Sequence, residues 1–211
     1  QRFLDVTAGD LDYISWDYYP FRTNAITNKH IENYLPNYEL MARLGKENNR
    51  ELRVIIQSAG DSHGVKDIDG KSELSFQIYT GLCFGVKEFT YYIYSGKSTT
   101  GYKYIYNCDT GTYNEDLYNW TKAVNNDVHS FEEVYDEYTW SNVMKVGSNE
   151  MLDTLSNATT SNDKLSVSGN GAYLVGVFHA KDSGSTRQNA FMVVNASYDT
   201  NASAEDVTLT F

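Results

Sequence analysis

Several features are missing from this chain of 211 residues. It has no C-x-x-C pair, and its two cysteines and four histidines follow no metal-ligand spacing. It has no H-E-x-x-H, no glycine-rich phosphate loop and no G-x-S-x-G turn. Zinc proteins, nucleotide enzymes and serine hydrolases are therefore disfavoured, and no cofactor is implied. No apolar run reaches the roughly 20 residues of a membrane-spanning helix, so membrane insertion is not expected. No secretory leader is recognisable, and the first residue is Gln1, not Met, as expected of a processed or excised piece. Positive charge is scarce: 17 Lys and Arg against 28 Asp and Glu give a net charge of −11. Such a surface repels polyanions, which argues against nucleic acid and anionic membranes as partners. A neutral polymer such as a glycan meets no such penalty.

Tyrosine is abundant, with 18 residues. A Tyr-rich core explains part of this. A sugar-binding surface explains it differently, because a flat ring stacks on a pyranose while its phenol bonds to hydroxyls. Cys83 lies in an apolar run (GLCFGV) and reads as a buried hydrophobe, whereas Cys108 lies in a polar turn (YNCDTG). A disulfide between them is neither required nor barred. Sequons at Asn119, Asn157, Asn195 and Asn201 suggest glycosylation if the source is a eukaryotic secretory pathway.

Residues 11–16 (LDYISW) read as a buried strand ending at Asp17, with Pro20 breaking it. Asn28 is a candidate cap for a helix through residue 47, in which Pro36 implies a kink or two helices. A second strand follows at 52–58, a polar loop, and a helix that starts at Ser72 and runs through residue 87. The third strand is expected at 89–94, and a long helix over about 114–138. This β-α-β-α-β-α order, with near-continuous apolar strands, predicts parallel strands covered on both sides, as a small open sheet or as three-eighths of a closed barrel. Residues 141–163 are polar and aperiodic, as in a linker. Short β-rich runs (LSVSG, AYLVGVFHA, AFMVVNAS, DVTLTF) then predict an antiparallel sheet.

LDYISWDYYPF resembles the sixth strand of barrel glycoside hydrolases of the β-galactosidase-like clan, and LRVIIQSAG the seventh. ELSFQIYTGLCFGVKEFTYYIY is similar to the helix and eighth strand of that group. YNWTKAVNNDVHSF fits the last barrel helix, and AYLVGVFHAKDSGSTRQNAFMVVN the start of a trailing β-sandwich. The resemblance implies an α/β fold: the C-terminal portion of a (β/α)8 barrel (about strands 6–8) over residues 1–140, a linker or long loop over 141–163, and a small antiparallel β-sandwich, whole or incomplete, over 164–211. It implies a secreted or cell-surface setting. It also implies that the remainder of the barrel lies in a missing N-terminal part or a second chain, since three βα units leave open sheet edges.

Barrel chemistry sits at the carboxyl ends of the strands, here Asp17–Tyr18–Tyr19, Gln57–Ser58 and Tyr92–Tyr94. The family's acid follows strand four, outside this chain. Its nucleophile, a Glu ending strand seven, falls at or near Gln57, and an amide cannot serve as a carboxylate nucleophile. Asp17 is the candidate catalytic carboxylate; its alternative role is a hydrogen bond to loop amides or a sugar hydroxyl. Trp16, Tyr18, Gln57, Asp61, His63, Tyr92 and Tyr94 are candidate substrate contacts. Against this, Asp61 and His63 also read as a solvated loop pair, and Tyr92 and Tyr94 as packing residues. Glu73 reads as a favourable charge at a helix start. Part of a glycoside hydrolase, a non-catalytic glycan-binding barrel and a structural surface module all remain open, because function lives in the site and not in the barrel.

Overall fold

The computed structural model describes residues 11–23, 27–196 and 206–211. The proposed Asn28 cap side chain and the Asn201 sequon lie outside the described residues. Three parallel strands, β1 (Tyr13–Asp17), β2 (Glu51–Gln57) and β3 (Val86–Tyr92), form an open sheet in the order β1-β2-β3. Helix α1 (Thr27–Asn48) joins the first two strands and α2 (Lys71–Cys83) the second and third. Pro36 stands inside α1, which is one helix of 22 residues and not two.

The barrel expectation is overturned here. The sheet has three strands and does not close. Nor is it covered on both sides. Side chains alternate between the faces of a strand. Ile14, Trp16, Val54, Ile56, Phe89 and Tyr91 join the core with the helices, while Tyr13, Ser15, Asp17, Glu88, Thr90 and Tyr92 are exposed on the other face. Arg53 spans that open face, pairing with Glu88 at 3.0 Å and lying over the Tyr13 ring at 4.0 Å.

Helix α2 ends earlier than its apolar pattern suggests. Gly85 takes φ 83°, a left-handed conformation that stops the helix and lets Val86 begin β3. A side chain there would strike Trp140, whose Cβ lies 2.6 Å from the position of the missing Cβ. After β3 come three two-residue strands, β4 (Ser95–Gly96), β5 (Tyr106–Asn107) and β6 (Thr112–Tyr113). The expected long helix is two: α3 (Glu115–His129) and α4 (Glu132–Asp136), separated at Phe131. Asn114 caps α3 by accepting from the Leu117 N–H at 3.1 Å.

The expected linker instead holds most of β7 (Tyr138–Val146), which pairs with β9 (Tyr173–Ala180). A bulge between Trp140 and Asn142 breaks the period-2 pattern, so Trp140 and Val143 both join the main core although they stand three positions apart. β10 (Asn189–Asn195) completes this antiparallel sheet in the order β10-β9-β7. β8 (Ser166–Gly169) and β11 (Val207–Thr210) form a two-stranded ribbon. Leu165 and Val167 pack on Val175 and Val177 of β9.

These strands are not an independent module. Helix α2 is buried on both sides, against the parallel sheet and against β9 and β10. Leu74, Ile78 and Leu82 share one core with Leu152, Leu155 and Leu174. Cys83 sits at that seam, its thiol donating to the Met192 carbonyl at 3.3 Å. Burial pushes its pKa up to about 12. Cys83 and Cys108 are both free thiols, one buried and one exposed.

Candidate functional site

The carboxyl ends of the parallel strands converge on two loops, residues 18–23 and 58–70. Gln57, fully buried at the end of β2, holds them together. Its Oε1 accepts from the Phe21 N–H at 3.0 Å, and its Nε2 donates to the Phe21 carbonyl at 3.0 Å and the Lys66 carbonyl at 2.7 Å. A second buried amide, Gln77 on α2, grips the Gln57 backbone: the Gln57 N–H donates to Gln77 Oε1 at 2.8 Å, and Gln77 Nε2 donates to the Gln57 carbonyl at 3.0 Å. The Gln57 side chain is thus spent on backbone and presents nothing to a ligand. Loop 58–70 is further tied by Glu73, which is 2% exposed, accepts from the Asp69 N–H at 2.8 Å and pairs with Lys66. Desolvation works to lower the Lys66 pKa, but Glu73 and Asp69 outweigh it and the value ends raised. Glu73 is thus a buried anchor as well as a charge in the first turn of α2.

The loops in turn fix Tyr19. Arg22 Nε donates to the Tyr19 carbonyl at 3.2 Å, and the Thr23 N–H donates to the Gly64 carbonyl at 2.9 Å. The Tyr19 ring stacks on Tyr92 at the end of β3, with centroids 5.2 Å apart and planes at 22°. Burial first, and then the Asp17 carboxylate that accepts from the Tyr19 hydroxyl, raise the Tyr19 pKa well above its ordinary value. Tyr92 and Asp61 act in the same direction. Tyr19 therefore stands among Asp17, Asp61 and Tyr92. Asp17 is exposed, and so is Tyr92, at 42%. Asp61 accepts from the backbone N–H groups of His63 (2.7 Å) and Val65 (3.2 Å), which shapes the loop. The His63 ring is largely in solvent, with Nδ1 3.9 Å from Asp61 Oδ2.

Of the residues expected at a site, Asp17, Asp61, His63 and Tyr92 lie together. Trp16 and Tyr18 do not join them. They point to the helix side, Trp16 edge-on to Tyr38 at 5.3 Å and Tyr18 against Tyr34 at 5.7 Å. Tyr94 belongs to a separate aromatic strip. It lies nearly parallel to Tyr106 at 6.4 Å, and Tyr106, Tyr113 and Tyr118 follow in contact.

Searches against family models, curated proteins and solved structures return no match. The chemistry of the site therefore rests on its own residues. Among the described residues no group of three or more His, Cys, Asp or Glu side chains is arranged to hold a metal ion. No helix of these residues is long and apolar enough to cross a membrane.

Tyr19 is the central residue that sequence reasoning passed over in favour of Tyr18. The signal was available. Strand alternation from Asp17 places residue 19, not 18, on the same face as the carboxylate.

Proposed function

We propose that this chain binds glycans at the carboxyl edge of its parallel sheet, with the stacked pair Tyr19–Tyr92 as the sugar platform. The carrying observation is that pair, held nearly parallel, with Tyr92 exposed and the carboxylates of Asp17 and Asp61 acting on Tyr19. An exposed aromatic face suits the C–H face of a pyranose, and the flanking Asp17 and Asp61 oxygens are acceptors for its hydroxyls. A neutral ligand also meets no electrostatic penalty from a charge of −11. The sequon asparagines Asn119, Asn157 and Asn195 are exposed, which agrees with a secreted or cell-surface setting.

The test is calorimetric titration of the whole chain against a panel of neutral oligosaccharides, with product analysis in parallel. Binding is expected for at least one member, and Tyr92→Ala weakens it about tenfold, the size of a lost stacking contact. No binding across the panel, or binding indifferent to Tyr92→Ala, overturns the reading. The second reading is glycoside hydrolysis, favoured by two carboxylates near one tyrosine. It requires turnover that Asp17→Asn abolishes. Binding without product leaves the non-catalytic reading standing.

A further inference from the structure

A cleft lies at the opposite, amino end of the parallel sheet, away from Tyr19 and Tyr92. There the α1–β2 turn, the α2–β3 turn and β7 enclose an open cleft of about 380 Å³. That volume falls within the range of small-molecule sites. Its wall carries Lys46, Arg50, Lys87 and Lys181, against a single lining carboxylate, Glu51. In a chain with 11 excess negative charges, four cations around one small cleft run against the overall balance. Lys87 is paired, at 2.9 Å from Asp136. Lys46, Arg50 and Lys181 have no carboxylate within ion-pair distance among the described residues.

Two of these cations, Lys87 and Lys181, are close enough to act on each other. Burial lowers the Lys87 pKa, Asp136 opposes that, Lys181 lowers it further and Glu51 acts in the raising direction. Two neighbouring ammonium groups gain when an anion comes between them. Lys46 lies 5.8 Å from the centroid of the half-buried Trp140 ring, and its Nζ donates to the Ser141 carbonyl at 2.8 Å, so one side of the cleft is held in place. Lysines outnumber arginine three to one. That set suits a tetrahedral oxyanion, which accepts from point charges in many directions, better than a flat carboxylate, which favours the arginine fork.

We infer that this cleft binds a small oxyanion ester, a phosphorylated or sulfated metabolite, with its anion between Arg50, Lys87 and Lys181. The cleft is larger than an inorganic anion needs, which is why an ester and not a free ion is assigned.

The experiment is calorimetric titration of the whole chain with glucose 6-phosphate, glucose 6-sulfate, glucose and inorganic phosphate, at two salt concentrations. At least one ester is expected to bind, more weakly at high salt, as screening of exposed charges requires. Arg50→Gln and Lys181→Gln, both at the surface, are each expected to weaken it at least tenfold with circular dichroism unchanged. Tyr92→Ala leaves ester binding intact, which separates this site from the sugar platform. Preference for one ester over the other identifies the anion. The inference is overturned if neither ester binds, if glucose or free phosphate binds as well as the esters, or if both charge variants bind like the parent chain.

Discussion

Replacing Gln57 with leucine is expected to lower the free energy of unfolding by about 3–5 kcal/mol, because three backbone groups lose buried partners together. The Phe21 N–H, the Phe21 carbonyl and the Lys66 carbonyl all bond to this one amide. Leucine fills much of the volume and satisfies none of them. Urea denaturation measures the loss as a lower midpoint with an unchanged slope. A loss under about 1 kcal/mol means that water reaches these groups and that the clamp is weaker than its geometry. The clamp also positions Tyr19 through the Phe21–Arg22 segment, so under the proposed glycan-binding function Gln57→Leu is expected to weaken that binding even where the chain stays folded. Gln57→Glu separates the two roles. A carboxylate still accepts from the Phe21 N–H but turns a lone pair toward two carbonyls. Burial and those carbonyls raise its pKa in the folded state. The destabilisation is therefore small below the ordinary glutamate range of about 4.3 and grows as the pH rises above it. This glutamate would be as buried as the amide it replaces, so no hydrolytic activity is expected from it.

Gly176→Val is expected to cost about 2–4 kcal/mol, the upper range for overpacking. A Cβ at Gly176 would stand 2.6 Å from the Cys83 carbonyl oxygen and 2.8 Å from the Cys83 Cα. Both are backbone atoms of α2, and neither can rotate away as a side chain can. The helix must retreat from β9, which presses it into the parallel sheet on its other flank. Gly176→Ala sits at the low end of the range and Gly176→Val at the high end. Thermal unfolding followed by near-ultraviolet circular dichroism reads both, with Trp140, which donates to the Cys83 carbonyl at 3.0 Å, as a local reporter. Equal stability of the valine variant and the parent would mean that β9 and α2 are not in such close contact.

The sequence marks the three parallel strands and their helices, because apolar period and turn residues agree there. It does not reveal how the sheet is finished. The alternation in YISWD and VKEFTYY points to a sheet with one open face, yet the apolar count reads as burial on both. β7 is hidden because its bulge shifts the face on which apolar residues fall, and Ser141 and Asn142 then look like a linker. The run AYLVGVFHA is unbroken for the opposite reason: Leu174 packs toward α2, while Val175 and Val177 pack toward the ribbon. At the site, Asp17, Asp61, His63 and Tyr92 are legible as polar or aromatic residues at strand ends. The spent amide of Gln57 is not, since its partners are backbone groups supplied by loops whose paths only the fold defines.

Helix α2 sits between two sheets that the chain supplies at different times. Its last residue, Cys83, meets the carbonyls of Leu174 and Met192, which lie 91 and 109 residues later in the sequence. During synthesis the helix can form early, but its second flank stays bare until β9 and β10 have left the ribosome. Loop closure over such a separation is slow. Nascent chains truncated before β9 should therefore expose an apolar helix face to chaperones, and chains extended past β10 should not.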